Sequence, residues 1–222
     1  IWKSETGKPY SRITGYIAEG LFKSQEEIDN SPAQNLGSTP KVGDIKYRDL
    51  NGDGIIDSDD QTMISKYGST PRLQYGFGGT VNYKKFDFRV FFSGSALRSI
   101  MTNGIDPFQE GIAVGNRNVL KYIADNYWSE EKQNWDAKYP RLGLLATDVA
   151  NNTVNSSYWL RNGSFLRLKN VEVGYKIPYG RIFVSAANLF TFSPFDLWDP
   201  ELSSWNSYPM QKTVNVGIQL QF

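Results

Sequence analysis

Leu73-Gln74-Tyr75-Gly76-Phe77-Gly78-Gly79-Thr80-Val81-Asn82-Tyr83 and Phe86-Asp87-Phe88-Arg89-Val90-Phe91-Phe92-Ser93, joined by Lys84-Lys85, form the stretch that decides the fold of this chain. In the first run the odd positions are apolar or small and the even positions are polar or glycine. In the second run the even positions carry the apolar face. Period two is the repeat of a β-strand, whose successive side chains point to opposite faces of a sheet. A two-residue link between two such runs makes an antiparallel hairpin. Working outward, Val214, Val216, Ile218, Leu220 and Phe222 share one face of a further strand, and Asn215, Gly217, Gln219 and Gln221 share the other. Two less regular strands are expected at 165–177 and 182–190. In the first, Val171, Val173, Tyr175 and Ile177 are in phase, but Leu166 and Leu168 are out of step, which predicts a bulge near Lys169-Asn170. Gly76, Gly78 and Gly79 are expected to relieve crowding or to allow a bulge. An earlier strand is expected over 10–21.

The connections alternate in length. Lys84-Lys85 and Pro178-Tyr179-Gly180-Arg181 are short, whereas 22–72, 94–164 and 191–212 are long. Short turns at one end and long loops at the other is the plan of a transmembrane β-barrel, whose tilted strands need about 9–11 residues each. The reading is therefore all-β, with the long connections extracellular and the short turns periplasmic. The competing reading is a secreted, calcium-stabilised β-sandwich that binds carbohydrate. A sandwich also alternates, but its turn signals recur about every 8–12 residues.

Composition narrows the function. With 24 basic and 23 acidic residues the chain carries no electrostatic footprint for nucleic acid. It has no Cys and no His, which removes disulfides, thiol nucleophiles, His-based triads and the usual zinc sites. No run approaches the ~20 apolar residues of a membrane helix. No P-loop, nucleophile elbow or dinucleotide fingerprint is present, and no carboxylate pair stands out as an acid/base couple, so no enzyme is expected. The chain begins at Ile1 and is expected to be a piece of something longer. Aromatics make up 14% of it. Trp128, Trp135, Trp159, Trp198 and Trp205, with Tyr122, Tyr127 and Tyr139, either pack the long loops together, mark an interfacial girdle or stack on a ligand. Val119, Leu120, Ile123 and Tyr127 have helical spacing within 116–128.

One long loop has the spacing of a calcium site. In Asp49-Leu50-Asn51-Gly52-Asp53-Gly54-Ile55-Ile56-Asp57-Ser58-Asp59-Asp60, side-chain oxygens stand at positions one, three, five, nine and twelve: Asp49, Asn51, Asp53, Asp57 and Asp60. Gly54 occupies the sharp turn at position six, and the Ile55 carbonyl would serve at position seven. Six to eight oxygens about a hard dication define calcium chemistry. Asp60 is one methylene shorter than the usual Glu at position twelve. The alternative is a metal-free turn in which Asp and Asn bond their own backbone. A structural calcium is expected here, pinning a segment with little core of its own.

An ordered series of short pieces then matches a known family. They are Gly7-Lys8-Pro9-Tyr10, Gly15-Tyr16, Glu19-Gly20-Leu21-Phe22, Gly43-Asp44-Ile45-Lys46-Tyr47, Tyr75-Gly76-Phe77 and Phe86-Asp87-Phe88. Further on come Tyr158-Trp159-Leu160-Arg161-Asn162-Gly163-Ser164-Phe165-Leu166-Arg167-Leu168-Lys169-Asn170, Gly174-Tyr175, Ala187-Asn188-Leu189-Phe190, Asp199-Pro200-Glu201 and Tyr208-Pro209. The chain resembles the C-terminal portion of the SusC/RagA family of TonB-dependent outer-membrane transporters. The resemblance implies a 22-stranded antiparallel barrel with a plugged lumen, the plug and the TonB box lying outside 1–222. It implies import of oligomeric nutrients, glycans or peptides, energised through TonB, with a SusD-like surface lipoprotein as partner and outer-membrane lipid as surroundings in a Bacteroidetes-type bacterium. Phe222, closing the last alternating strand, is expected to act as an assembly signal.

Overall fold

A computed structural model describes residues 6–103, 120–143, 145–202 and 207–221. The chain forms two compact units, one of residues 1–66 and 101–160, the other of 67–100 and 161–222. Strands are numbered in chain order: β1 (Ile13–Gly15), β2 (Ala18–Leu21), β3 (Ala33–Gln34), β4 (Ile45–Tyr47), β5 (Ile55–Ile56), β6 (Thr62–Ser65), β7 (Leu73–Tyr83), β8 (Phe86–Ala96), β9 (Ser99–Met101), β10 (Leu160–Asn162), β11 (Phe165–Ile177), β12 (Gly180–Ala187), β13 (Thr191–Phe192) and β14 (Thr213–Leu220).

The second unit is built on one antiparallel meander in the order β14-β12-β11-β8-β7, with β13 paired to the start of β11. The expected strands are all present. β7 and β8 pair in unbroken register from Tyr83↔Phe86 to Leu73↔Ala96, and Lys84 takes a positive φ of 55° to turn the hairpin in two residues. β11 and β12 pair from Ile177↔Gly180 to Asn170↔Ala187. β12 thus stops at Ala187, and Asn188 adopts a φ of 56°. The expected bulge lies between Leu168 and Asn170, where the β11–β8 register shifts. It explains the change of phase. With Lys169 as the extra residue, Leu166 and Leu168 stay on the same face as Val171 and Val173.

Register then assigns every wall residue to a face. Phe77, Val81, Phe88, Val173, Val184, Val216 and Ile218 belong to a continuous apolar face, and all are exposed. The opposite face carries Gln74, Thr80, Arg89, Glu172, Ser185, Asn215 and Gln219, interrupted by glycines. No helix among the described residues is long and apolar enough to cross a membrane.

The first unit corrects two expectations. The segment 10–21 is not one strand of the wall. It breaks at Tyr16 and Ile17 into β1, paired with β6, and β2, paired with β4, while Tyr16 bridges Ser156. Nor does the unit lack a core. Tyr16, Leu21, Ile45, Tyr47, Ile56, Ile123, Trp128, Tyr139 and Trp159 form one buried cluster. Beside it, Asp44 is fully buried and accepts from Arg141 Nε at 2.8 Å, Arg141 Nη2 at 3.0 Å and Asn152 Nδ2 at 2.8 Å. A charge taken out of water needs such complete pairing. Gly43, with φ at 87°, lies under the Trp128 indole, where a Cβ would come within 2.0 Å of ring carbon.

Candidate functional site

The calcium-type loop leaves β4 and returns through β5, which pairs in parallel with β3. Its first lobe is closed by local bonds. Gly52 N–H and Gly54 N–H donate to the two oxygens of Asp49, at 2.6 and 2.9 Å. Asp53 N–H donates to Asn51 Oδ1 at 2.9 Å, Ile55 N–H to Asp53 Oδ1 at 2.8 Å, and Asn51 Nδ2 to Asp53 Oδ2 at 2.8 Å. The bonds from the Gly54 and Gly52 amides hold the Asp49 carboxyl below the usual range. Gly52 and Gly54 supply the positive φ angles, 78° and 84°. The second lobe is a capping box on a 3-10 turn, Ser58–Asp60: Asp57 Oδ1 accepts from Asp59 N–H at 2.7 Å, and Asp60 Oδ2 accepts from Asp57 N–H at 3.0 Å.

Asp60 has a further role that the spacing did not disclose. It is fully buried, and its Oδ1 accepts from Leu50 N–H at 2.7 Å and Asn51 N–H at 3.4 Å. One carboxylate therefore ties the start of the loop to its end. Among the described residues no three His, Cys, Asp or Glu side chains are grouped as a metal-binding set. The donors of the first lobe do fit a hard cation chemically. They are carboxylate, amide and carbonyl oxygens, and an oxygen that accepts one amide retains a second lone pair.

The wall presents a second arrangement on its polar face. Arg181 of β12 forms a bidentate pair with Asp87 of β8, its Nε donating to Oδ2 at 2.9 Å and its Nη2 to Oδ1, and Nη2 also donates to Glu172 of β11 at 2.7 Å. Gly174 between them makes this possible, because a Cβ there would lie 2.3 Å from the guanidinium. The same device recurs at Gly217, which is covered by the Phe183 ring, and at Gly76 and Gly78, covered by Phe91. These glycines relieve crowding, and the β7–β8 register shows no bulge at them. Nearer the long loops, Arg167 pairs with Asp199 through Nη2, and its Nε lies 3.4 Å from Glu201, which is also 3.4 Å from Lys169.

The loop aromatics prove to be packing residues where they are described. Trp159 is fully buried and donates Nε1–H to Asn152 O at 2.7 Å. Trp128 and Tyr139 are buried with it, Trp135, Tyr122 and Tyr127 pack against them, and Trp198 meets Phe195 edge-on at 4.5 Å. The expected helix at 116–128 is a single element over Lys121–Asn126 that buries Ile123. Its expected start at 116–119, Trp205 and Phe222 lie outside the described residues.

An antiparallel meander with one continuous apolar face in the open and one polar, glycine-notched face has the pattern of a β-barrel wall. Known proteins share this sequence and fold. A TonB-dependent receptor of Formosa agariphila is 30% identical over 97% of this chain and 23% of its own length. Another from the same organism is 27% identical over 96% of this chain and 20% of itself. The TonB-dependent receptor SusC of Bacteroides thetaiotaomicron is 26% identical over 100% of this chain and 21% of itself. The solved RagAB peptide transporter superposes with a TM-score of 0.66 at 22% identity, over 95% of this chain and 22% of that chain. No protein-family model matches. Over nearly its whole length the chain is similar to TonB-dependent receptors, SusC among them, and it spans about a fifth of the length of the relatives it matches.

Proposed function

We propose that this chain is part of the wall and surface loops of an outer-membrane, TonB-dependent importer of oligomeric nutrients, peptides or glycans, that works with a SusD-like lipoprotein. The observation that carries this reading is the exposed apolar face of the five long strands. Val214, Val216, Ile218 and Leu220 alone are 53–75% exposed. Such a face is stable against lipid and unstable in water. A carbohydrate-binding sandwich would need a second sheet over that face, and the second unit is built on one large sheet. In this reading the turns at 84–85 and 178–179 are periplasmic and the long connections are extracellular. The chain does no chemistry of its own. Its polar face lines the lumen, and its loops gate or hold the substrate.

Loop 49–60 takes a structural calcium in the same reading, through Asp49, Asn51, Asp53 and the Ile55 carbonyl, with Asp57 or Asp60 completing the shell. Support comes from the oxygen donors and the two positive-φ glycines. The test of the main reading is fractionation of the full-length protein. It should sediment with outer membranes and require detergent for extraction, and a protease added to intact cells should spare the two short turns. A full-length protein that remains in the soluble fraction would refute the reading.

A further inference from the structure

Near the long-loop end of the second unit lies an open pocket of about 640 Å³, lined by Gln74, Phe91, Ser95, Arg98, Phe165 and Glu201 among others. Arg98 and Ser95 are only 5% and 4% exposed. The Arg98 guanidinium donates from Nη1 to Pro200 O and from Nη2 to Leu202 O at 2.9 Å. Its Nε and the Ser95 hydroxyl have no hydrogen-bond partner among the described residues. Two buried polar groups lining one pocket and left unsatisfied are costly unless a ligand completes them.

The charge around the pocket says what kind of ligand. Arg167 is engaged with Asp199 and Glu201, and Lys169 with Glu201. Among the described residues Arg167 and Lys169 thus form ion pairs with Asp199 and Glu201, and Arg98 forms none. The hydrogen bonds of Arg98 go to neutral carbonyls, those of Pro200 and Leu202. Burial weakens that guanidinium's hold on its proton, and Glu201 alone acts the other way. Arginine nevertheless stays a cation in proteins. Buried cations of this kind recruit carboxylates through charge-assisted bonds.

We propose that this pocket is a subsite for a carboxylate carried by the transported oligomer, held by Arg98 Nε–H and the Ser95 hydroxyl over the Phe91 and Phe165 rings. The inference rests on the import reading and sharpens it, since an amino-acid chain and an acidic sugar chain both supply a carboxylate.

The test uses the full-length protein in detergent and two probe pairs. One is N-acetylated penta-alanine as free acid and as C-terminal amide. The other is trigalacturonate and its methyl ester. At least one acid should bind about tenfold more tightly than its neutral partner. The pair that discriminates identifies the source of the carboxylate. Ser95→Ala removes a hydroxyl that bonds no described residue, so the fold should survive and the preference should shrink about threefold. Arg98→Gln should abolish it. Equal binding of acid and neutral forms in both pairs, no binding of either acid, or a wild-type preference in Ser95→Ala would each overturn the subsite. A protein that fractionates with the outer membrane yet shows no preference refutes the subsite alone. One that stays soluble refutes the import reading with it.

Discussion

Replacing Asp60 by alanine should loosen loop 49–60 even when calcium is absent. The side chain accepts two well-placed amides, Leu50 N–H at 2.7 Å and Asp57 N–H at 3.0 Å, and a longer one from Asn51 at 3.4 Å. Alanine orphans all three beside a buried site. Each lost partner of a buried donor costs about 1–3 kcal/mol, and the amides here are only half-buried, so the total is about 2–4 kcal/mol. At tenfold per about 1.4 kcal/mol, amides of 50–57 should exchange roughly 30- to 700-fold faster. The assay is hydrogen–deuterium exchange of the full-length protein in chelator-treated buffer, read on peptides covering 45–61. Asp60→Asn keeps one acceptor oxygen and should fall between wild type and alanine. Asp49→Ala, whose bonds are exposed to water, should change exchange by less than about tenfold. If Asp60→Ala exchanges like wild type, the carboxylate does not staple the loop and the reasoning is wrong.

Three further outcomes follow from the same geometry. Calcium titrated calorimetrically into metal-free, full-length protein should bind at one site in loop 49–60, and Asp49→Ala/Asp53→Ala should remove that heat; an unchanged isotherm would rule the loop out. Val216→Lys, on the exposed apolar face, should cost about 2–4 kcal/mol if the residue lies near mid-bilayer and deplete the protein from outer membranes, whereas Asn215→Lys on the polar face should be tolerated; equal effects would reverse or erase the facial assignment. Asp199 supplies a pH signature. Its burial opposes the charge, but the Arg167 guanidinium and the Glu201 and Met210 amides hold its carboxyl below the usual range. A lowered folded value stabilises above the unfolded value of about 3.9 and loses that contribution as pH falls below it. Asp199→Asn should therefore melt earlier than wild type at neutral pH, with the gap closing in acid; a gap that widens in acid contradicts this.

Much of the wall was legible because period two survives any tertiary context that leaves one face wet or lipidic. The hairpin at Lys84-Lys85, the bulge after Leu168 and the facial split of β14 all follow from the pattern of side chains alone. Partners were not legible. The 10–21 segment alternates well enough to read as a strand, yet nothing in its sequence says that it pairs within the other unit, with β6 and β4. The long connections read as loops because their core residues, Ile45, Ile56, Trp128 and Trp159, are scattered in sequence and meet only in space. Asp60 shows the same limit. The spacing places it at position twelve of the ligand set, and its burial as a staple depends on residues brought together by β5 and the 3-10 turn. Arg98 carried no motif, and only its buried, half-satisfied guanidinium draws notice.

The strands at the two sides of the meander, β7 and β14, each have one edge unpaired among the described residues. Whatever joins those edges must respect the alternation. A slip of one residue along β14 would send Asn215, Gln219 and Gln221 outward and draw Val216 and Ile218 inward, a change that every residue of the strand would oppose at once. A slip of two restores both faces. If this sheet closes into the proposed barrel, errors of closure are thus quantised, and faulty barrels would differ from the correct one by even offsets, each with its strands tilted slightly differently to the membrane.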